Sequence, residues 1–138
     1  MCLFIVPEFY KLKNVWTFIL KLQKSHPILF IPNRKIYSIY GSFPNMIWNG
    51  GRVCVADEDI SEDEIRETFE LYTSYNVCLS LTMTNLVLEE KHLSDKYCNK
   101  ILEIANTERY NTECIVAKDL MEEYIRSKFP NIKINKSI

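Results

Sequence analysis

The sequence predicts an α/β protein with a mostly parallel sheet, and three observations carry that prediction. Strand-like runs begin near residues 35, 77, 113 and 132, a helical segment separates each from the next, and three glycines and five prolines in 138 residues leave these elements largely uninterrupted. A strand–helix–strand series calls for right-handed crossovers between parallel strands. With 47% hydrophobic and 25% charged residues the chain is neither disordered nor collagen-like. A chain of this size buries roughly 68% of its extended surface, enough for one core but not two, so residues 1–138 are expected to form a single domain. Two architectures fit: part of a (βα) TIM-type barrel, or an open flavodoxin-like doubly wound sheet. Closed barrels typically need about 250 residues, and a chain stopping on a fresh strand leaves an edge that folds avoid or pair. The expectation is therefore the N-terminal half of a longer barrel.

The elements follow in order. Leu3 to Val6 is extended-looking, and residues 12 to 24 place Leu12, Val15, Trp16, Ile19 and Leu20 on one helical stripe that Lys13, Lys21 and Lys24 leave open to water. His26-Pro27 ends that helix, with His26 placed to complement its C-terminal dipole. Lys35 to Tyr40 reads as a strand ended by Gly41-Ser42-Phe43-Pro44, and Asn49-Gly50-Gly51 breaks the chain again before the extended run Arg52 to Ala56. Ser61 with Glu64 three residues on forms a capping box for a helix to about Tyr75, with Ile65, Phe69 and Tyr72 facing inward. Val77 to Thr84 alternates apolar and small polar residues with the period of two of a strand. Ser94 or Asp95 caps a helix through Asn106, Glu113 to Ala117 is the next strand, and Asp119 with Glu122 resembles a second capping box before Phe129-Pro130. Ile132 to Asn135 is the last strand.

Charge and cysteine usage exclude several classes. The net charge of -1 gives no global attraction to nucleic acid or anionic lipid. Residues 1–52 nevertheless carry Lys11, Lys13, Lys21, Lys24, Arg34, Lys35 and Arg52 against the single acid Glu8, whereas the remainder is acidic, with a run from Asp57 to Glu70 that reads as a solvated helix face. The five cysteines, at 2, 54, 78, 98 and 114, form neither a metal knuckle nor a disulfide ladder and read as reduced, buried thiols. The first nine residues lack a basic leader and are broken by Pro7 and Glu8, and no apolar run reaches the ~18–20 residues of a membrane span. The expected address is cytoplasmic, with no membrane or nucleic-acid partner.

In either architecture ligands meet the carboxyl ends of parallel strands. These ends are Gly41-Ser42-Phe43, Thr84-Asn85, Ala117-Lys118 and Asn135-Lys136-Ser137, a set suited to a small polar or anionic ligand. Asn49-Gly50-Gly51-Arg52 could bring backbone N–H groups and a guanidinium to an anion, or could be a hairpin turn between Met46-Ile47-Trp48 and Val53-Cys54-Val55. Candidate substrate-binding residues are therefore Ser42, Asn49, Arg52 and Asn85. Glu89-x-x-His92 has the spacing of one half of a di-iron motif, but a single copy does not make a metal site. It does supply the one plausible acid–base pair, Glu89 with His92. No metal is expected, and neither cofactor nor reaction follows from these residues.

The strings Tyr40 to Arg52, Thr84 to Ser94 (Thr-Asn-Leu-Val-Leu-Glu-Glu-Lys-His-Leu-Ser) and Glu122 to Arg126 before Phe129-Pro130 carry a resemblance. Over nearly its whole length the chain resembles the N-terminal half of an uncharacterised bacterial family similar to the barrel part of the peptidase U32, or collagenase-like, proteins. The resemblance implies a barrel of roughly twice this length, to which this chain contributes about four strands, so that its strand ends form part of a substrate site and it is inactive alone. Several U32 relatives hold an iron–sulfur cluster through cysteines in a part absent here, and none of the five cysteines matches them. Lys118 departs from the small polar residue expected at its strand end. The alternative is a self-sufficient α/β module that binds a partner or small anion without catalysis. Half a barrel is expected to expose apolar strand edges and to associate through them.

Overall fold

The computed structural model describes residues 1–50 and 54–137. Five strands, β1 (Cys2–Pro7), β2 (Arg34–Gly41), β3 (Cys78–Met83), β4 (Thr112–Val116) and β5 (Lys133–Lys136), alternate with four α-helices, α1 (Lys13–Ser25), α2 (Glu62–Ser74), α3 (Lys96–Ala105) and α4 (Asp119–Lys128). All strand pairs are parallel, and the sheet is open with the order β1-β2-β3-β4-β5. The α/β prediction and its parallel sheet are thus observed, with one more strand than the series counted from residue 35. The spatial order follows the chain order, as in a run of barrel strands; a flavodoxin-like sheet has the order 2-1-3-4-5. Right-handed crossovers between successive neighbours carry all four helices to the same face.

The period of two in β3 and β4 decides what that face buries. Ile39, Leu79, Leu81, Met83, Cys114 and Val116 are each at most 1% exposed and share one cluster with Phe69 and Tyr72 of α2, Ile101 of α3 and Ile125 of α4. The opposite face is polar. Register pairs Ser38 with Cys78 and Ser80 with Glu113, and a chain of side-chain hydrogen bonds crosses it from Ser38 through Ser80 to the Glu113 carboxylate. Ser38 and Ser80 are buried on that face.

Helix starts differ from one another in how the orphan N–H groups are met. Ser61 Oγ accepts from Glu64 N–H at 3.3 Å, but the Glu64 carboxylate accepts from the Tyr10 hydroxyl at 2.8 Å, so only half of the expected box forms. Asp95, not Ser94, caps α3 through Cys98 N–H at 2.7 Å. The box expected at Asp119 does not form: Lys118 is the N-cap, without a side-chain cap bond. Asp119 and Glu122 pair instead with Lys136 of β5, at 2.5 and 3.3 Å, because the parallel register sets Val116 beside Lys136.

Buried thiols are found at Cys78, Cys98 and Cys114, whereas Cys54 is half-buried and Cys2 is exposed. Among the described residues no helix is long and apolar enough to cross a membrane.

Candidate functional site

The carboxyl ends of β1, β2 and β3 enclose a cavity of about 160 Å³ lined by Glu8, Tyr40, Gly41, Ser42, Asn49, Thr82 and Thr84. That is the size of space that takes one small ring-sized molecule. Two features of the chain shape it. Glu8 turns β1 into its loop with φ at +66°, a left-handed conformation uncommon for a non-glycine residue, and its N–H donates to Tyr40 O at 2.6 Å. Gly50 lets the loop after β2 lie against the end of β3: a Cβ there would come within 2.3 Å of the backbone of Asn85 and Thr84. Only glycine fits so close an approach.

A hydrogen-bonded cluster holds the cavity's polar groups. Asn49 Nδ2 donates to Ser42 Oγ at 2.8 Å. The Thr82 hydroxyl shares its one proton between Asn49 Oδ1 at 2.9 Å and Gly41 O at 3.0 Å. Three elements are tied at one point, each side chain fixed by the next, which is the rigidity a recognition site needs. The cluster both donates and accepts, and Glu8 adds a carboxylate to the lining.

The predicted residues divide into those the fold brings together and those it does not. Ser42 and Asn49 meet in the cavity, 2.8 Å apart. Asn85 reaches the same rim but turns to the backbone: its Nδ2 donates to Ile47 O at 2.7 Å and its Oδ1 accepts from Val87 N–H at 3.0 Å. Its amide is spent on anchoring two loops. Arg52 lies outside the described residues. Glu89 and His92 are not among the cavity's lining residues. They form a reciprocal cap on a short 3₁₀ turn, Glu90–Ser94, with the Glu89 side chain accepting from the backbone and His92 Nδ1 accepting from Glu89 N–H at 2.9 Å. The Glu89 carboxylate is exposed and also pairs with Lys91 at 2.7 Å. The Glu-x-x-His spacing here is therefore that of a capping box, which has the same i, i+3 geometry as an acid–base or metal pair. Lys118 donates to the carbonyls of Leu86 and Leu88, bracing the loop after β3.

Of the turn or ligand loop expected at residues 46–54, Gly51 to Val53 lie outside the described residues. Met46 to Trp48 form no strand, and Asn45 N–H donates to Cys54 O at 2.8 Å, so the loop closes on itself. Trp48 is fully buried, with its indole N–H on His92 O at 2.8 Å.

Three lining residues, Glu8, Tyr40 and Thr82, were not picked out from sequence. Thr82 and Tyr40 were recoverable, since strand parity puts both on the sheet face of Ser80, at its carboxyl end. Glu8 lies before the strand series that starts at residue 35, one residue past the last pair of β1, Pro7 with Tyr40.

Burial disfavours the thiolates of Cys54, Cys78, Cys98 and Cys114. Burial pushes Cys78 up to about 11 and Cys98 up to about 12, burial raises Cys114 further, and burial also raises Cys54, against the pull of Lys11. Among the described residues no three His, Cys, Asp or Glu side chains converge on a point where a metal could bind.

Fold and rim together define an α/β protein with an open parallel sheet and a small polar cavity at its strand carboxyl ends. Comparison with protein-family models, curated proteins and solved structures finds no match to the chain.

Proposed function

We propose that the rim over β1, β2 and β3 binds a small polar ligand, and that it is the share of a substrate site which a U32-like partial barrel contributes without turning the ligand over alone. The observation that carries this reading is the Ser42–Asn49–Thr82 cluster, held within hydrogen-bond distance in a cavity at the end of the sheet where parallel α/β folds place ligands. Of the two ligand classes expected from sequence, the lining favours the polar one: Ser42, Asn49 and Thr82 bring hydroxyls and an amide that donate and accept, and Glu8 adds a carboxylate. A ligand with several hydroxyls, or an amine, matches this set.

Ligand-observed NMR with glucosamine, sorbitol and succinate as probes tests the reading. The expected result is binding of glucosamine or sorbitol, weakened by about ten-fold or more in Thr82→Val, which removes the hydroxyl while keeping the shape. Preference for succinate, or indifference to Thr82→Val and Asn49→Ala, overturns it. The alternative of an interaction module without catalysis is favoured by a different observation, the exposed apolar edge at β1.

A further inference from the structure

We infer that the open edge of β1 is a docking surface for a β-strand of another polypeptide, one with apolar side chains at alternate positions and acidic residues at its flanks. This goes beyond the rim and does not rest on it. β1 lies at the end of the sheet order and pairs with β2 alone among the described strands. Unlike the other edge strand, where Lys133 and Lys136 stand guard, it carries no charge along Cys2–Pro7. Its Leu3, Phe4 and Ile5 are 47, 42 and 60% exposed. An edge of that kind is a template for strand addition, in which main-chain hydrogen bonds supply affinity and alternate side chains supply selectivity.

The apolar surface continues past the strand. Phe4, Leu29, Phe30 and Ile31 line a groove of about 280 Å³ with Gln23 and Arg34, and Leu29 and Ile28, in the 3₁₀ turn Pro27–Leu29, are 66 and 92% exposed. Charge names the occupant. Arg34 and Lys35 pair in register with Cys2 and Leu3, Arg34 lines the groove, and Glu8 is the sole acid in residues 1–52. A partner strand flanked by carboxylates meets complementary potential. A second copy does not, because edge-to-edge pairing would bring two such basic borders together.

Two fluorescent peptides of about ten residues, alternating valine and threonine, test this, one flanked by glutamates and the other by lysines. Anisotropy is expected to show the glutamate-flanked peptide binding about ten-fold or more tightly, with affinity falling in about 0.5 M salt. Ile5→Lys and Leu29→Lys, both at exposed positions, are each expected to lower that affinity about ten-fold or more, while Val87→Lys at the exposed rim loop leaves it unchanged. Circular dichroism confirms that each variant is folded, and if Ile5→Lys is not, Leu29→Lys carries the reading. Equal affinity for the two peptides, no binding of the glutamate-flanked one, or self-association that displaces it overturns the inference.

Discussion

β1 and β3 begin with the same two residues, Cys-Leu, and are both six residues long, yet one is the least buried strand of apolar residues and the other the most buried. Leu79, Leu81 and Met83 of β3 are at most 1% exposed, whereas Leu3 and Ile5 of β1 are about half open. The difference is not hydrophobicity, since β1 is the more uniformly apolar of the two. β3 has a strand on each side and helices over its apolar face, and it places Ser80 and Thr82 on the other face. β1 has one neighbour, and α1 beside it buries only Leu20 completely. Burial is a property of neighbours, so an apolar strand at an edge remains a surface.

Labelling of the thiols gives the largest expected contrast between the two regions. Alkylation of native protein near neutral pH should modify the exposed Cys2 at an ordinary rate and Cys114 on the order of 10³-fold more slowly, because Cys114 is buried and its thiolate disfavoured until the sheet opens. Mass spectrometry of timed samples reads this, and comparable rates at both positions would mean the centre of the sheet is not packed.

Alanine substitution sharpens the same contrast in energy. Leu81→Ala removes a fully buried side chain and should cost about 2–5 kcal/mol in denaturant unfolding. Ile5→Ala should cost under about 1 kcal/mol, as for an exposed strand position. Equal losses would show that β1 is covered in solution.

The smallest effect concerns the guarded edge. A hydrogen bond from Lys136 holds Asp119 below its usual carboxylate range, and bonds from Arg126 and then Lys136 do the same for Glu122. A depressed folded-state value means stabilisation that is present above the unfolded value and lost as pH falls through the folded one. Asp119 in turn holds Lys136 above its ordinary value, a contribution present below the unfolded lysine value and lost only at strongly alkaline pH. The pairs lie at the surface, where solvent and salt screen them, so the stability they contribute is small. Thermal melts should show Lys136→Ala less stable than the parent at pH 7 and the gap closing below about pH 4. A gap independent of pH would remove the pair.

Much of the fold was legible in the residues. Ser61, Asp95 and the alternation in Val77 to Thr84 act over one turn or one pair of neighbours, so local chemistry identifies them. Half of the site was legible too, because Ser42 and Asn49 flank a strand end and a glycine break. What was not legible required distance in sequence to become distance in space. Glu89 and His92 have the spacing of a reactive pair, and only their bonds to each other's backbone reveal a cap. Asp119 looks like a cap until Lys136, 17 residues later, arrives beside it.

The sequence by itself determined the alternation of strands and helices, the parallel sheet that such alternation imposes, and which strand ends carry hydroxyls and amides, since each follows from side-chain period and backbone propensity within a few residues. Only tertiary structure decided the order of the strands, the place of Glu8 and Thr82 in the cavity, and the exposure of β1. Those depend on which chain segments become neighbours, and a side chain's burial and partners are set by what packs against it from elsewhere.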